Sequence, residues 1–253
     1  MPDVWRVGGG RVTDDDDAAA PPRLRVVRLA DVTPERVSWL WPGRLPAGKL
    51  VVLDGDPAVG KSTLALSISA TVTTGGRWPD GTRCAHLGDV VLLSAEDGLA
   101  DTVRPRLDAA GADVTRVHAA QGYPDPECPG TLVPPTLADV AGLRELVMRV
   151  GARLLVVDVL MAYLPGGTDA HKDQHVRRIL SRLATMADET GCTVLVLRHL
   201  SKGVGGSPLY RGGGSIGIIG AARGACSLRP TPTIPIPVCS PARNTTLGRS
   251  RRP

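Results

Sequence analysis

"LDGDPAVGKSTLAL", residues 53–66, decides the fold. Within it Gly55, Asp56, Pro57, Ala58, Val59, Gly60, Lys61 and Ser62 follow the order G-x-x-x-x-G-K-[ST], with Thr63 next. The spacing has a physical basis. Glycine lets the backbone wrap an anion closely, so that successive N–H groups point inward at the start of a helix whose dipole already favours negative charge. Lys61 then reaches the terminal phosphates of a nucleotide, and the Ser62 hydroxyl ligates magnesium. The apolar run "KLVVL" (49–53) reads as a buried strand, and "KSTLALSISATVTTG" (61–75) as a helix closed by glycine. Strand, loop and helix in this order predict a site for ATP and Mg2+ over residues 55–63, not a chance glycine-rich turn.

The same grammar repeats outward. "DVVLLSAEDG" (89–98), "ARLLVVDVL" (152–160) and "CTVLVLRHL" (192–200) are strands of the fully apolar kind, and "VTRVHAAQ" (114–121) is a shorter one. Between them "LADTVRPRLDAAGA" (99–112), "LADVAGLRELVMRVG" (137–151) and "DQHVRRILSRLATMADETG" (173–191) have helical spacing, and the proline-rich stretch 121–136 reads as loop. Strands alternating with helices predict an α/β fold with a mostly parallel central sheet and helices on both faces. Residues 31–226 are expected to form this domain, and residues 1–30, with a glycine triplet and four consecutive aspartates, a flexible arm.

Composition narrows the classes. No run of 18 apolar residues and no apolar leader is present, which predicts a cytoplasmic protein without a membrane partner. Five scattered cysteines without a CxxC pair imply thiols and argue against zinc or a disulfide framework. The formal charge is +5, and the five arginines of residues 227–253, a stretch with no acid, account for all of it. A neutral body with one basic tail is weak support for nucleic-acid binding. That tail, rich in proline and without strand periodicity, is expected to be disordered. From about Arg229 it reads as a frame-shifted translation of the gene, which would leave a sheet edge near residues 222–228 unpaired; a basic segment attracting DNA phosphates is the alternative.

Several residues at the strand ends carry chemistry. Asp158 closes "LLVVD", where a carboxylate holds the magnesium ion through water. Val159 follows it, so the base that activates the attacking water must sit elsewhere. Glu96, after the second strand, is the candidate, and Asp97 the runner-up. His199 and Lys202 lie just past the fourth strand; a neutral histidine there can read the γ-phosphate, although a strand-end histidine is more often structural. "GGSPLYRGGGSIG" (205–217) carries Tyr210, Arg211 and Ser215, and an arginine on a glycine-rich loop is what an arginine finger requires.

Together "GDPAVGKST", "LLSAEDG", "LLVVDVLMAYLPGGTDAHKDQHVRRIL", "LRHLSKG" and "LYRGGGSIGIIGAARGA" resemble the RecA-like P-loop ATPases of the RepA type, which are hexameric replicative helicases. The resemblance spans about residues 36–226. It implies nucleotide bound between neighbouring subunits of a ring, Glu96 as base, His199 as γ-phosphate sensor and Arg211 as the finger reaching the next subunit, with Arg223 a second trans-acting arginine. It also implies a hexamer that hydrolyses Mg-ATP to move along single-stranded DNA in replication or plasmid maintenance. The glycine content around Arg211 and the proline-rich tail depart from the family pattern. Two other readings stand beside the helicase: an ATP-dependent regulatory or recombination-mediator switch, and a truncated nucleotide-binding fragment that does not assemble.

Overall fold

The computed structural model describes residues 26–166, 173–200, 217–228 and 238–240. Most of the arm, Lys202, Tyr210, Arg211, Ser215 and most of the tail lie outside these residues. The chain divides into one unit ending at Arg36 and a second beginning at Val37. In the first, Leu29–Asp31 forms a 3-10 turn with no buried residue, closed by an ion pair of 2.7 Å between Arg28 and Asp31.

The second unit opens with β1 (Trp39–Trp41) and β2 (Leu45–Pro46), a short antiparallel hairpin. β3 (Leu50–Gly55) runs into the glycine-rich loop and α1 (Lys61–Thr74). β4 (Asp89–Ser94) follows, then a π-helical turn at Leu99–Val103 that continues into α2 (Arg104–Ala109). β5 (Val117–Ala119) comes next. The stretch expected to be all loop contains a small hairpin of β6 (Tyr123–Pro124) and β7 (Leu132–Val133). α3 (Val140–Val150), β8 (Ala152–Asp158), α4 (Asp173–Thr190), β9 (Thr193–His199), α5 (Gly217–Ala221), β10 (Gly224–Leu228) and β11 (Val238–Ser240) complete the described strands and α-helices.

The main sheet has the order β11-β10-β3-β9-β8-β4-β5. Six of its strands are parallel, and β11 is antiparallel to β10. This is the expected α/β architecture, a RecA-like P-loop fold. The edge at 222–228, expected to be unpaired, is hydrogen-bonded instead: Ala225, Cys226 and Ser227 stand opposite Ser240, Cys239 and Val238. Residues of the tail thus contribute a strand despite their prolines, because Val238–Ser240 is a stretch free of proline. Cys226 is disulfide-bonded, against the expectation of thiols throughout, while Cys84, Cys128 and Cys192 are free.

Strand alternation divides the core in two. Leu50, Val52, Leu155, Val157, Val194 and Val196 face α3, α4 and α5. Val51, Leu53, Leu154, Val156, Leu195 and Leu197 face α1, α2 and the β1–β2 hairpin. Both faces of each central strand are therefore dry, which is why the sequence shows continuous apolar runs there. Among the described residues no helix is long and apolar enough to cross a membrane.

The hairpin is fixed to the loop after α1 by side chains. Trp41 stacks on Trp78 with ring centroids 4.7 Å apart and planes 4° from parallel, and the Arg44 guanidinium lies 4.8 Å above Trp41. Asp80 accepts from the Trp41 indole N–H at 2.8 Å and pairs with Arg44 at 2.6 Å. The Thr82 hydroxyl, the Trp41 indole and the Arg44 charge push the Asp80 carboxyl down to about 2 from an ordinary 3.8. A depressed carboxyl stabilises the fold above its unfolded-state value and loses that contribution as pH falls through the folded value. Asp80→Asn should therefore lower the urea midpoint at pH 6, and the gap to wild type should close between about pH 4 and 2. A gap independent of pH would show that the charge of Asp80 contributes nothing.

Candidate nucleotide site

β3 ends at Gly55 and runs into the glycine-rich turn that precedes α1. Gly60 caps α1 with φ of 90°, a conformation open to glycine and strained for other residues. Gly55 needs its missing side chain for a different reason. A Cβ there would lie 2.9 Å from Val59 Cγ2 and 3.0 Å from the Leu228 carbonyl oxygen.

Lys61, the first residue of α1, is only 4% exposed. Its ammonium donates to the carbonyl oxygens of Gly55 at 3.0 Å and Asp56 at 2.9 Å. It also lies 3.1 Å from His199 Nδ1. An ammonium has no lone pair, so in this contact Nδ1 is the acceptor. Burial pushes the Lys61 pKa down, while Asp158, Asp56, Glu96 and Asp54 work against that shift. The lysine is thus held in a carbonyl cradle beside four carboxylates and can exchange those carbonyls for phosphate oxygens.

Asp158 ends β8 and Ser94 ends β4, and the two stand in register. The Ser62 hydroxyl lies beside the Asp158 carboxylate and favours its charged form. Burial raises the Asp158 pKa, and the charges of Glu96 and Asp97 add to it; Ser62 and His199 oppose. A buried carboxylate and a hydroxyl side by side form the hard oxygen set that suits Mg2+, and a divalent cation would offset the desolvation that raises Asp158. Ser62, Asp97 and Asp158 line one narrow cleft between α1 and the ends of β4 and β8.

Glu96 and Asp97 follow β4 but differ in their partners. Asp97 is paired with Arg106 of α2 at 2.8 Å. Glu96 is 62% exposed and places Oε2 3.8 Å from His199 Nε2. His199 therefore stands between Lys61 on its Nδ1 side and Glu96 on its Nε2 side. Arg223, beside β10, is exposed and donates its backbone N–H to the Leu50 carbonyl at 2.9 Å, so its guanidinium is on the surface.

The described residues thus bring together Lys61 and Ser62 from the start of α1, Glu96 from the turn after β4, and Asp158 and His199 from the ends of β8 and β9, all at one edge of the sheet. That is where parallel α/β sheets collect ligands. A further pair escaped the reading of the sequence. Asp54 and Arg198, one residue before Gly55 and His199, form a bidentate ion pair with Nε–Oδ1 of 2.7 Å and Nη2–Oδ2 of 2.8 Å. The one available signal was a charge at the end of each of two otherwise apolar strands.

Comparison with known families agrees with this geometry. Residues 16–205 match the family model described as AAA domain. The match covers well over half of the chain and takes in the phosphate loop, Glu96, Asp158 and His199. The chain belongs to the AAA domain family of P-loop, nucleotide-binding ATPases.

Proposed function

We propose that this chain hydrolyses Mg-ATP at the edge formed by β3, β4, β8 and β9, and that it assembles as a hexameric ring that moves along single-stranded DNA. The observation that carries the hydrolysis reading is the line from Lys61 through His199 to Glu96, with the Ser62–Asp158 pair beside it. The ring and the DNA rest on the resemblance of five ordered motifs to RepA-type helicases.

In this reading the N–H groups of residues 55–63 and the Lys61 ammonium bind the phosphates, leaving the two carbonyls that Lys61 now contacts. Ser62 would hold the metal directly and Asp158 would hold it through water. Bound magnesium supplies charge neutralisation at the phosphate oxygens. Glu96, exposed and joined only loosely to His199, orients the attacking water and takes its proton. Asp97 is the weaker candidate because Arg106 already engages it. Movement of Lys61 onto the nucleotide removes the donor at His199 Nδ1, which is how His199 senses occupancy. Arg211, outside the described residues, is assigned the finger that completes a neighbouring site, with Arg223 the second candidate.

ATP turnover measured with and without oligo-dT, alongside gel filtration with and without Mg-ATP, tests this function. The ring translocase predicts DNA-stimulated turnover and a nucleotide-dependent hexamer. Turnover indifferent to DNA would favour the regulatory switch, and a nucleotide-binding monomer would favour the fragment that does not assemble.

A further inference from the structure

The strands that carry the phosphate loop and His199 are neighbours in the sheet. Leu50 to Leu53 of β3 and Val194 to Leu197 of β9 are apolar, buried and paired in register. The pattern breaks at the last position before the site. Asp54 faces Arg198, and one step on Gly55 faces His199. Asp54 is 4% and Arg198 1% exposed, and two parallel hydrogen bonds join them.

A buried ion pair is a poor way to stabilise a sheet, because desolvating both charges offsets most of their attraction and apolar residues of similar volume often do as well. The fork geometry does something apolar residues do not. Two parallel N–H···O bonds fix distance and angle together. Successive strand residues point to opposite faces, so this pair lies on the face of Val52 and Val196, opposite the face packed against α1. Besides the charge that Asp54 places near Lys61, the pair's hold on the geometry of the site passes through the backbone. One residue further along, the Leu200 N–H donates to the Gly55 carbonyl oxygen at 3.1 Å, and the Lys61 ammonium donates to that same oxygen. Ser227 stands beside Asp54 in the same row on β10, yet its hydroxyl is buried without a hydrogen-bond partner. The row is therefore a specific Asp54–Arg198 clamp rather than a general polar network.

We propose that Asp54 and Arg198 are positioning residues: their buried bidentate pair locks the ends of β3 and β9 so that Lys61 and His199 stay within hydrogen-bond reach. Its consequence for catalysis rests on the hydrolysis reading above; its consequence for His199 does not.

The test uses the full chain with two variants. One is the apolar double substitution Asp54→Leu with Arg198→Met, which leaves no unpaired buried charge. The other is Arg198→Lys, which keeps the charge and removes the fork. For each, the 15N shifts of the His199 imidazole are read without nucleotide, assigned by their loss in His199→Gln, and kcat and KM for ATP are measured. The double variant should keep a urea midpoint near wild type. Its His199 Nδ1 signal should move, and kcat should fall by about 10- to 100-fold, the range expected for a misplaced catalytic group, with KM changing far less. Arg198→Lys should fall between it and wild type, and carries the same readouts if the double variant does not fold. Unchanged His199 shifts and unchanged kcat in a folded variant would overturn the proposal. A wild-type chain without turnover, combined with a His199 signal that still moves in the variants, would sink the hydrolysis reading and leave the clamp standing.

Discussion

Glu96→Gln is expected to bind Mg-ATP as wild type does and to turn it over about 10²–10⁴-fold more slowly, the usual contribution of a positioned general base. The amide keeps the size of the side chain and loses the ability to accept a proton from water. Binding should survive because Glu96 is exposed at the rim and the phosphates are held by Lys61 and the loop. The separation of effects is the informative part, since a residue that acts on the attacking water touches the transition state and not the bound ground state. Fluorescent-nucleotide titration and single-turnover hydrolysis measure the two halves. Turnover at the wild-type rate would exclude Glu96 as the base and bring forward Asp97, whose pair with Arg106 would then have to open.

The larger loss should come from Arg211→Ala. Trans-acting arginines of this kind contribute about 10³–10⁵ in rate. In the proposed ring each arginine serves the neighbouring subunit, so the defect should be complemented across interfaces. Arg211→Ala subunits mixed with Glu96→Gln subunits create some interfaces with an intact Glu96 on one side and an intact Arg211 on the other. Such mixtures should recover hydrolysis that neither variant shows alone. Co-assembled mixtures no more active than the separate variants would count against Arg211 as the finger, and the same design with Arg223→Ala would then decide between the two.

Much of the fold was legible because parallel strands are buried on both faces and so appear as continuous apolar runs; β3, β4, β8 and β9 are all of this kind. Short elements were not. β1 and β2 together hold five residues, too few for any period, although the apolar run Trp39–Trp41 before a Pro-Gly turn was a signal in principle. β6 and β7 were hidden by prolines that a short exposed hairpin tolerates. The π-helical turn before α2 keeps enough of the helical spacing to be invisible without coordinates. β11 was missed because composition was weighed over the whole tail, whereas three residues opposite β10 suffice for a strand. Its presence leaves the frame-shift reading to the codons themselves: nucleotides that cannot encode an acidic turn and a strand in the shifted frame would rule it out.

At the site the phosphate-loop pattern and the strand-end Asp158 could be read directly, the first from its fixed spacing and the second from its place after an apolar run. What no spacing could reveal was connection between strands. The Lys61–His199 contact joins residues 138 apart and the Asp54–Arg198 pair residues 144 apart. Both exist because β3 and β9, distant in the chain, are adjacent in the sheet.

The central claim is that nucleotide is hydrolysed at residues 55–63, and phosphate release from Mg-ATP by wild type and Lys61→Ala in parallel tests it most directly. Removing the ammonium leaves the phosphates without their one buried cationic partner from the loop, so Lys61→Ala should release phosphate no faster than buffer while wild type turns over steadily. Equal rates from the two proteins would contradict the account.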